Sequence, residues 1–194
     1  MLSTPNLLTF FRIGVTPVLI YLLTLESPVP SAFAALLFFF AVLSDYLDGH
    51  IARSYGTSSI LGKFLDPVAD KVLVTAALIM LAAIARQPRV PAWIVVVLVV
   101  REIAVTGVRA IAAVEGIVIG ADELGKYKMV LQSAALVGLI VHYSYLHIDF
   151  FAAGMFLLWV AMVLSVWSGV RYHVMVIGAI RAQHAAPKRA AAGG

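Results

Sequence analysis

The 194-residue chain contains no cysteine, which excludes disulfides, thiolate nucleophiles and Cys-ligated metal sites and leaves the redox compartment unread. Charge is scarce too. Only 12 % of the residues are Asp, Glu, Lys or Arg, while 62 % are apolar, a balance outside that of soluble domains and one that points to an integral membrane protein. No Pro/Gly/Ser-rich linker and no periodic repeat divides the chain, so one bundle is expected over residues 1–175. A cleaved signal peptide is not expected, because MLSTPNLLTFFR carries its one basic residue after the apolar part and offers no small-residue cleavage site. Residues 176–194, ending in RAQHAAPKRAAAGG, form a basic, Ala-rich tail that reads as disordered, either solubilising or held near anionic headgroups. No nucleic-acid partner is expected.

What the chain has in abundance is long apolar runs. Crossing a bilayer as a helix takes roughly 20 apolar residues, and six stretches qualify, near 7–26, 31–52, 62–85, 91–114, 125–146 and 150–173. The expected fold is therefore an all-α bundle of six transmembrane helices. ESPVPS, ARQPRVP and SYLHID read as turns on one side, and SYGTSS and GIVIGADELG punctuate the other. An even number of spans puts both termini on one side. With the termini in the cytoplasm, only Arg86 and Arg89 among the basic residues fall in the opposite loops, which favours this orientation. Trp93, Tyr143, Tyr145 and Trp167 near span ends read as interfacial anchors.

Against this background DYLDGHIARSYGTSSILGKFLDPVADK concentrates four carboxylates, Asp45, Asp48, Asp66 and Asp70. The first two are spaced three apart and the last two four apart, so each pair lines one helix face, and the hairpin between the spans brings the faces to one depth. One Asp at mid-span costs about 2.5 to 3.5 kcal/mol, and less near the interface. Four carboxylates at close quarters do not all stay ionised without cations, and two divalent ions neutralise them. Hard oxygen donors favour Mg²⁺, with Mn²⁺ as the alternative, over zinc. His50 faces away from Asp45 and Asp48 by helical angle and reads as structural. Gly49, Ala52, Gly56 and Gly62 keep the hairpin walls free of bulk, for close helix packing or for a ligand.

Asp45, Asp48, Gly49, Ala52, Arg53, Gly62, Asp66 and Asp70 form the ungapped pattern D-x2-D-G-x2-A-R-x8-G-x3-D-x3-D. It resembles that of the CDP-alcohol phosphatidyltransferase family. The resemblance implies a homodimer of six-helix subunits with a dimetal site open to the cytoplasmic face, transfer of a phosphatidyl group from a CDP-linked lipid to an alcohol, and release of CMP. It also implies that Asp45, Asp48 and Asp66 bind metal and diphosphate and that Asp70, a further metal ligand, is the general base. Gly49, Ala52, Arg53 and Gly62 would adjoin the CDP-lipid. Arg53 equally suits capping of its span. A nearby cation lowers a carboxylate's pKa, which keeps Asp70 ionised and weakens it as a base.

The acceptor alcohol is read from other segments. PNLLTFFR (5–12), GKFLDPVADK (62–71), REIAVTGVRA (101–110) and LGKYKMVLQ (124–132) are similar to the bacterial phosphatidylglycerophosphate synthase branch of that family. That branch implies CDP-diacylglycerol as donor and sn-glycerol 3-phosphate as acceptor, in a bacterial inner membrane. Arg109 and Lys126 are then the foremost acceptor-phosphate candidates, followed by Arg101, Arg12 and Lys128. Glu102 is an alternative partner for Arg109 or Arg101, snorkelling is an alternative for the lysines, and Asn6 and Thr9 would approach the nucleotide unless Asn6 caps a helix. Cardiolipin synthase and phosphatidylinositol-phosphate synthase of the same family are the enzymatic rivals. An ion-coupled transporter is the rival from another class, although neither internal repeats nor paired interrupted helices are visible. A non-catalytic lipid-binding scaffold is a third option.

Overall fold

The computed structural model describes the backbone of residues 4–55, 60–117, 123–145 and 147–192 and the side chains of 11–44, 71–117, 125, 127–145 and 147–184. Its helices are α1 (Thr4–Thr24), α2 (Pro28–Tyr55), α3 (Ile60–Ala83), α4 (Ala92–Val114), α5 (Glu123–Val141) and α6 (Phe150–Ala192). Between α5 and α6, Ser144–Tyr145 (β1) and Ile148–Asp149 (β2) pair antiparallel, with Ser144 opposite Asp149 and Tyr145 opposite Ile148. Helix α1 packs on α2 and α3, α5 on α6 and α2, and α4 mainly on α6.

Local chemistry sets the ends. Pro28 opens α2, where a missing amide hydrogen costs nothing and the fixed φ suits the first turn. Helix α4 closes in a Schellman motif: Gly116, at φ 70°, donates to the Ala113 carbonyl oxygen at 3.1 Å, and Ile117 donates to that of Ala112 at 2.8 Å. Helix α5 stops at Val141 and not near 146 as the hydrophobic run predicts, because His142 turns left-handed (φ 65°) into the two-stranded hairpin. Asp149 then caps α6, its Oδ1 accepting from the Ala152 amide at 3.0 Å. At the other end, α6 does not stop near 173. It runs to Ala192.

One core joins all six helices through Leu19, Phe38, Leu73, Leu78, Ile94, Leu136 and Leu158, each at most 3 % exposed. The outer faces are apolar as well: Phe33, Phe40, Val96, Ile103, Val130, Phe156 and Val163 are all more than half exposed. Water would penalise such a surface, whereas lipid would not. Among the described residues one helix segment, Phe150–His184, is long and apolar enough by itself to cross a bilayer, and Phe11–Thr24, Pro28–Ser44, Lys71–Ala83 and Tyr127–Val141 are shorter apolar pieces. In lipid, helix cohesion depends on tight packing and polar ties. Both occur. A Cβ on Gly154 would lie 2.8 Å from the Leu139 nitrogen and 2.9 Å from the Ala135 carbonyl oxygen, so this glycine permits the close crossing of α5 and α6.

The polar tie on the side away from the aspartates centres on Arg86, in the loop after α3. Its buried guanidinium donates to Ser31 Oγ at 2.7 Å and to the Leu139 and Ile140 carbonyl oxygens at 3.3 Å, at the C-terminal end of α5, where a cation is favoured. Tyr143 reaches across to donate to the Glu26 carbonyl oxygen at 2.8 Å, and Glu26 Oε1 accepts from the Ala85 amide at 3.0 Å. Arg86 is thus a structural cation that ties the loop after α3 to α2 and α5. Tyr143, read from the sequence as an interfacial anchor, is a loop tie.

His142 sits in the same cap, its Nε2 3.1 Å from the Gln87 carbonyl oxygen and its ring edge-on to Tyr143 and Phe151. Burial first, and the Arg86 charge second, push its pKa below the ordinary histidine value, against the opposing pulls of the Gln87 hydrogen bond and Asp149. A folded pKa below that of the unfolded chain, about 6.5, means that the unfolded state takes the proton first. Stability is therefore full above about pH 7 and falls as pH drops through 6.5. Thermal unfolding in detergent between pH 5.5 and 7.5 is expected to show this slope in the native chain and a shallower one in His142→Gln.

Candidate active site

Helix α2 carries Asp45 and Asp48 in its C-terminal half, and α3 carries Asp66 and Asp70 in its N-terminal half. Since α2 ends at Tyr55 and α3 begins at Ile60, both pairs lie toward the same end of two consecutive helices. The side-chain arrangement at Asp45, Asp48, Asp66, Asp70, Asn6, Thr9, Gly49, His50, Ala52, Arg53, Gly62 and Lys126 lies outside the described residues. Helix α1 begins at Thr4, which puts Asn6 inside the first turn and not at the cap. Among the described residues no group of three His, Asp or Glu gathers as a metal site. The aspartate donor set itself fits hard divalent cations: carboxylates alone, spaced i,i+3 and i,i+4 on two successive helices.

Directly after Asp70 the described part of the site begins, with Lys71. It lines a cavity of about 700 Å³ between α2, α3, α4, α5 and α6. The polar wall holds Lys71, Arg101, Glu102, Arg109, Lys128 and Tyr172, and the apolar wall includes Phe39, Val42, Leu78, Leu98 and Val137. From Arg109 to Leu98 the cavity follows α4 for about 16 Å at 1.5 Å per residue. Basic groups therefore stand beside the aspartate motif, and hydrocarbon lies further in.

Glu102 organises the basic groups. Lys128 Nζ donates to its Oε2 at 2.7 Å, Arg101 Nη1 donates to the same oxygen at 3.0 Å, and Lys71 Nζ lies 3.8 Å from Oε1. Lys71 also donates to Thr106 Oγ1, which in turn donates to the Glu102 carbonyl oxygen at 2.8 Å. One carboxylate from α4 is thereby tied to α3 and α5.

The five acceptor-phosphate candidates do not share one environment. Arg101 is committed to α6 as well as to Glu102: its Nε donates to the Ser165 carbonyl oxygen at 2.8 Å and its Nη2 to Ser168 Oγ at 2.7 Å. A Cβ on Gly169 would lie 3.1 Å from that Nε, so glycine leaves room for the arginine. Arg109 is exposed; among the described residues its recorded contact is the Tyr172 ring, 5.8 Å from its guanidinium carbon, without a hydrogen bond or ion pair. Glu102 thus pairs with Arg101, not with Arg109. Lys128 lines the cavity and is buried. Arg12 is also buried but belongs to α1, which packs on the two aspartate-bearing helices, and it does not line the described cavity. Sequence reasoning missed Lys71, Thr106 and Tyr172 as site residues; the position of Lys71, immediately after the last aspartate of the motif, was the available signal.

Residues 2–167 match the model of the CDP-alcohol phosphatidyltransferase family, a span that contains the whole aspartate motif and most of the cavity. The chain belongs to that family. The family consists of membrane enzymes, and membership implies a divalent-metal requirement. Among similar proteins, a CDP-diacylglycerol–glycerol-3-phosphate 3-phosphatidyltransferase of Bacillus subtilis is 38 % identical over 184 residues, covering 89 % of this chain and 94 % of that protein. Proteins of the same name from Rickettsia bellii and Haemophilus influenzae are 35 % and 33 % identical, covering 88 % and 92 % of this chain and 93 % and 95 % of their own lengths.

Arg101 and Arg109 should respond differently to truncation. Arg101→Met removes two hydrogen bonds to α6 and one cationic partner of Glu102 and is expected to lower unfolding stability by about 2 kcal/mol. Arg109→Met, at an exposed position, is expected to stay within about 0.5 kcal/mol of the native stability while losing turnover at limiting acceptor. Denaturation in detergent alongside initial rates of CMP release measures both.

Proposed function

We propose that this chain transfers the phosphatidyl group of CDP-diacylglycerol to sn-glycerol 3-phosphate, giving phosphatidylglycerophosphate and CMP. The observation that carries the reading is the cavity itself: a cluster of basic side chains begins where the aspartate motif ends and passes inward to an apolar wall. A phosphate-bearing acceptor suits the basic part, and the acyl chains of a lipid donor suit the apolar part. The names of the near-full-length relatives agree.

Asp45, Asp48, Asp66 and Asp70 would hold two Mg²⁺ ions, with Mn²⁺ as a substitute. Bound there, the metals supply Lewis-acid polarisation of the diphosphate and stabilise charge on the leaving CMP. The remaining work falls to side chains. Arg109 and Lys126 bind and orient the acceptor phosphate, with Arg101, Arg12 and Lys128 behind them, and Asp70 takes the proton of the attacking hydroxyl. That hydroxyl oxygen bonds to the phosphorus bearing diacylglycerol as the P–O bond to CMP breaks. Gly49, Ala52, Arg53, Gly62, Asn6 and Thr9 adjoin the CDP moiety.

The enzyme spans the bacterial inner membrane six times as a homodimer, with both termini and the site at the cytoplasmic face, where a lipid donor and a water-soluble acceptor can meet. A transporter fits less well. Transporters of this kind show internal repeats or paired interrupted helices, and the sequence shows neither.

Purified protein given CDP-diacylglycerol, Mg²⁺ and one acceptor at a time is expected to release CMP with sn-glycerol 3-phosphate. Release with phosphatidylglycerol or inositol phosphate but not with glycerol 3-phosphate contradicts the reading. Chelation is expected to abolish turnover, and Asp70→Asn to lower it by about a thousandfold, within the range of general-base loss, with the protein still folded in detergent.

A further inference from the structure

Glu102 sits among the basic groups of the cavity. Its two carboxylate oxygens draw Lys71 from α3, Arg101 from its own helix and Lys128 from α5 toward one point of the cavity. Helix α4 packs mainly on α6, so the bonds from Glu102 to Lys71 and Lys128 span the open space between α4 and the facing helices. The carboxylate is one-third exposed to that space. An anion entering from the mouth meets the same donors that Glu102 already holds.

We propose that Glu102 is a built-in competitor for the acceptor-phosphate position, a specificity-determining residue whose single charge occupies the basic cluster until a more highly charged anion displaces it. The inference rests on the acceptor-phosphate reading of this cavity. A phosphate monoester brings three free oxygens and close to two charges, and it outbids a carboxylate for Lys71 and Lys128. A phosphodiester brings one charge and does not. The cluster therefore selects a water-soluble phosphate monoester over a lipid phosphodiester through the charge it demands, without any contact to the alcohol.

Two measurements test this, the first of them independent of turnover. Inorganic phosphate is titrated against thermal unfolding of the full chain in detergent, for the native protein, Glu102→Gln and Glu102→Asp, with dimethyl phosphate as the singly charged probe. The native protein is expected to be stabilised by phosphate and not by dimethyl phosphate. Glu102→Gln is expected to bind phosphate about tenfold more tightly, as the loss of a neighbouring like charge implies, and to respond to dimethyl phosphate too. Glu102→Asp, which keeps a charge but withdraws it by one methylene, falls between the two and keeps the test open should Glu102→Gln fail to fold. The second measurement is kinetic: in the more stable of these variants, KM for glycerol 3-phosphate and kcat are expected to fall together, because the phosphorylated product also leaves more slowly. A native protein indifferent to phosphate overturns the acceptor-phosphate reading and this inference with it. A native protein that binds phosphate, with variants that bind it no more tightly or show a raised KM, overturns the inference alone and leaves Glu102 as a strut.

Discussion

Charge neutralisation inside an apolar bundle is the constraint on which the rest of this protein depends. A carboxylate or guanidinium placed among helices that face lipid must find partners there, and at Glu102 the requirement is met by Lys71, Arg101 and Lys128 at once. The consequence is architectural. Helix α4 has little packing against α3 and α5, so the ionic bonds do there what side-chain interdigitation does elsewhere, and a cavity survives where a core would otherwise close.

The opposite end of the bundle solves the same problem with the opposite result. Arg86 is enclosed by Ser31 and the last carbonyls of α5, with Tyr143, Glu26 and His142 around it. Its bonds go mostly to the backbone, whose position is fixed by the helix, whereas the bonds of Glu102 go to the tips of long, movable side chains. The first arrangement closes a face, and the second lines a cavity. Tight helix crossing at Gly154 joins α5 to α6.

The helices and the family were legible in the chain. The aspartate pattern, the basic residues of the fourth and fifth helices and the six apolar runs are local signals, and helices and family follow from them. Less legible were features that depend on encounters between distant segments. The hydrophobic run ending α5 continues past Val141, so only the left-handed His142 and the pairing of Ser144 with Asp149 reveal the stop. The apolar run of the sixth helix ends near 173, whereas α6 continues to Ala192. Glu102 had two arginines within reach by helical spacing, and spacing alone does not choose between them.

By itself the sequence determined which segments are helical, where acidic charge concentrates and which family the chain joins, because each rests on residue type and short-range spacing. Tertiary structure alone decided that Arg101 anchors α6 while Arg109 faces the open cavity, and that Lys71 and Lys128 converge on one carboxylate from different helices. The physical reason is that the energy of a buried charge depends on distances across the bundle, which helix packing sets and no local pattern encodes.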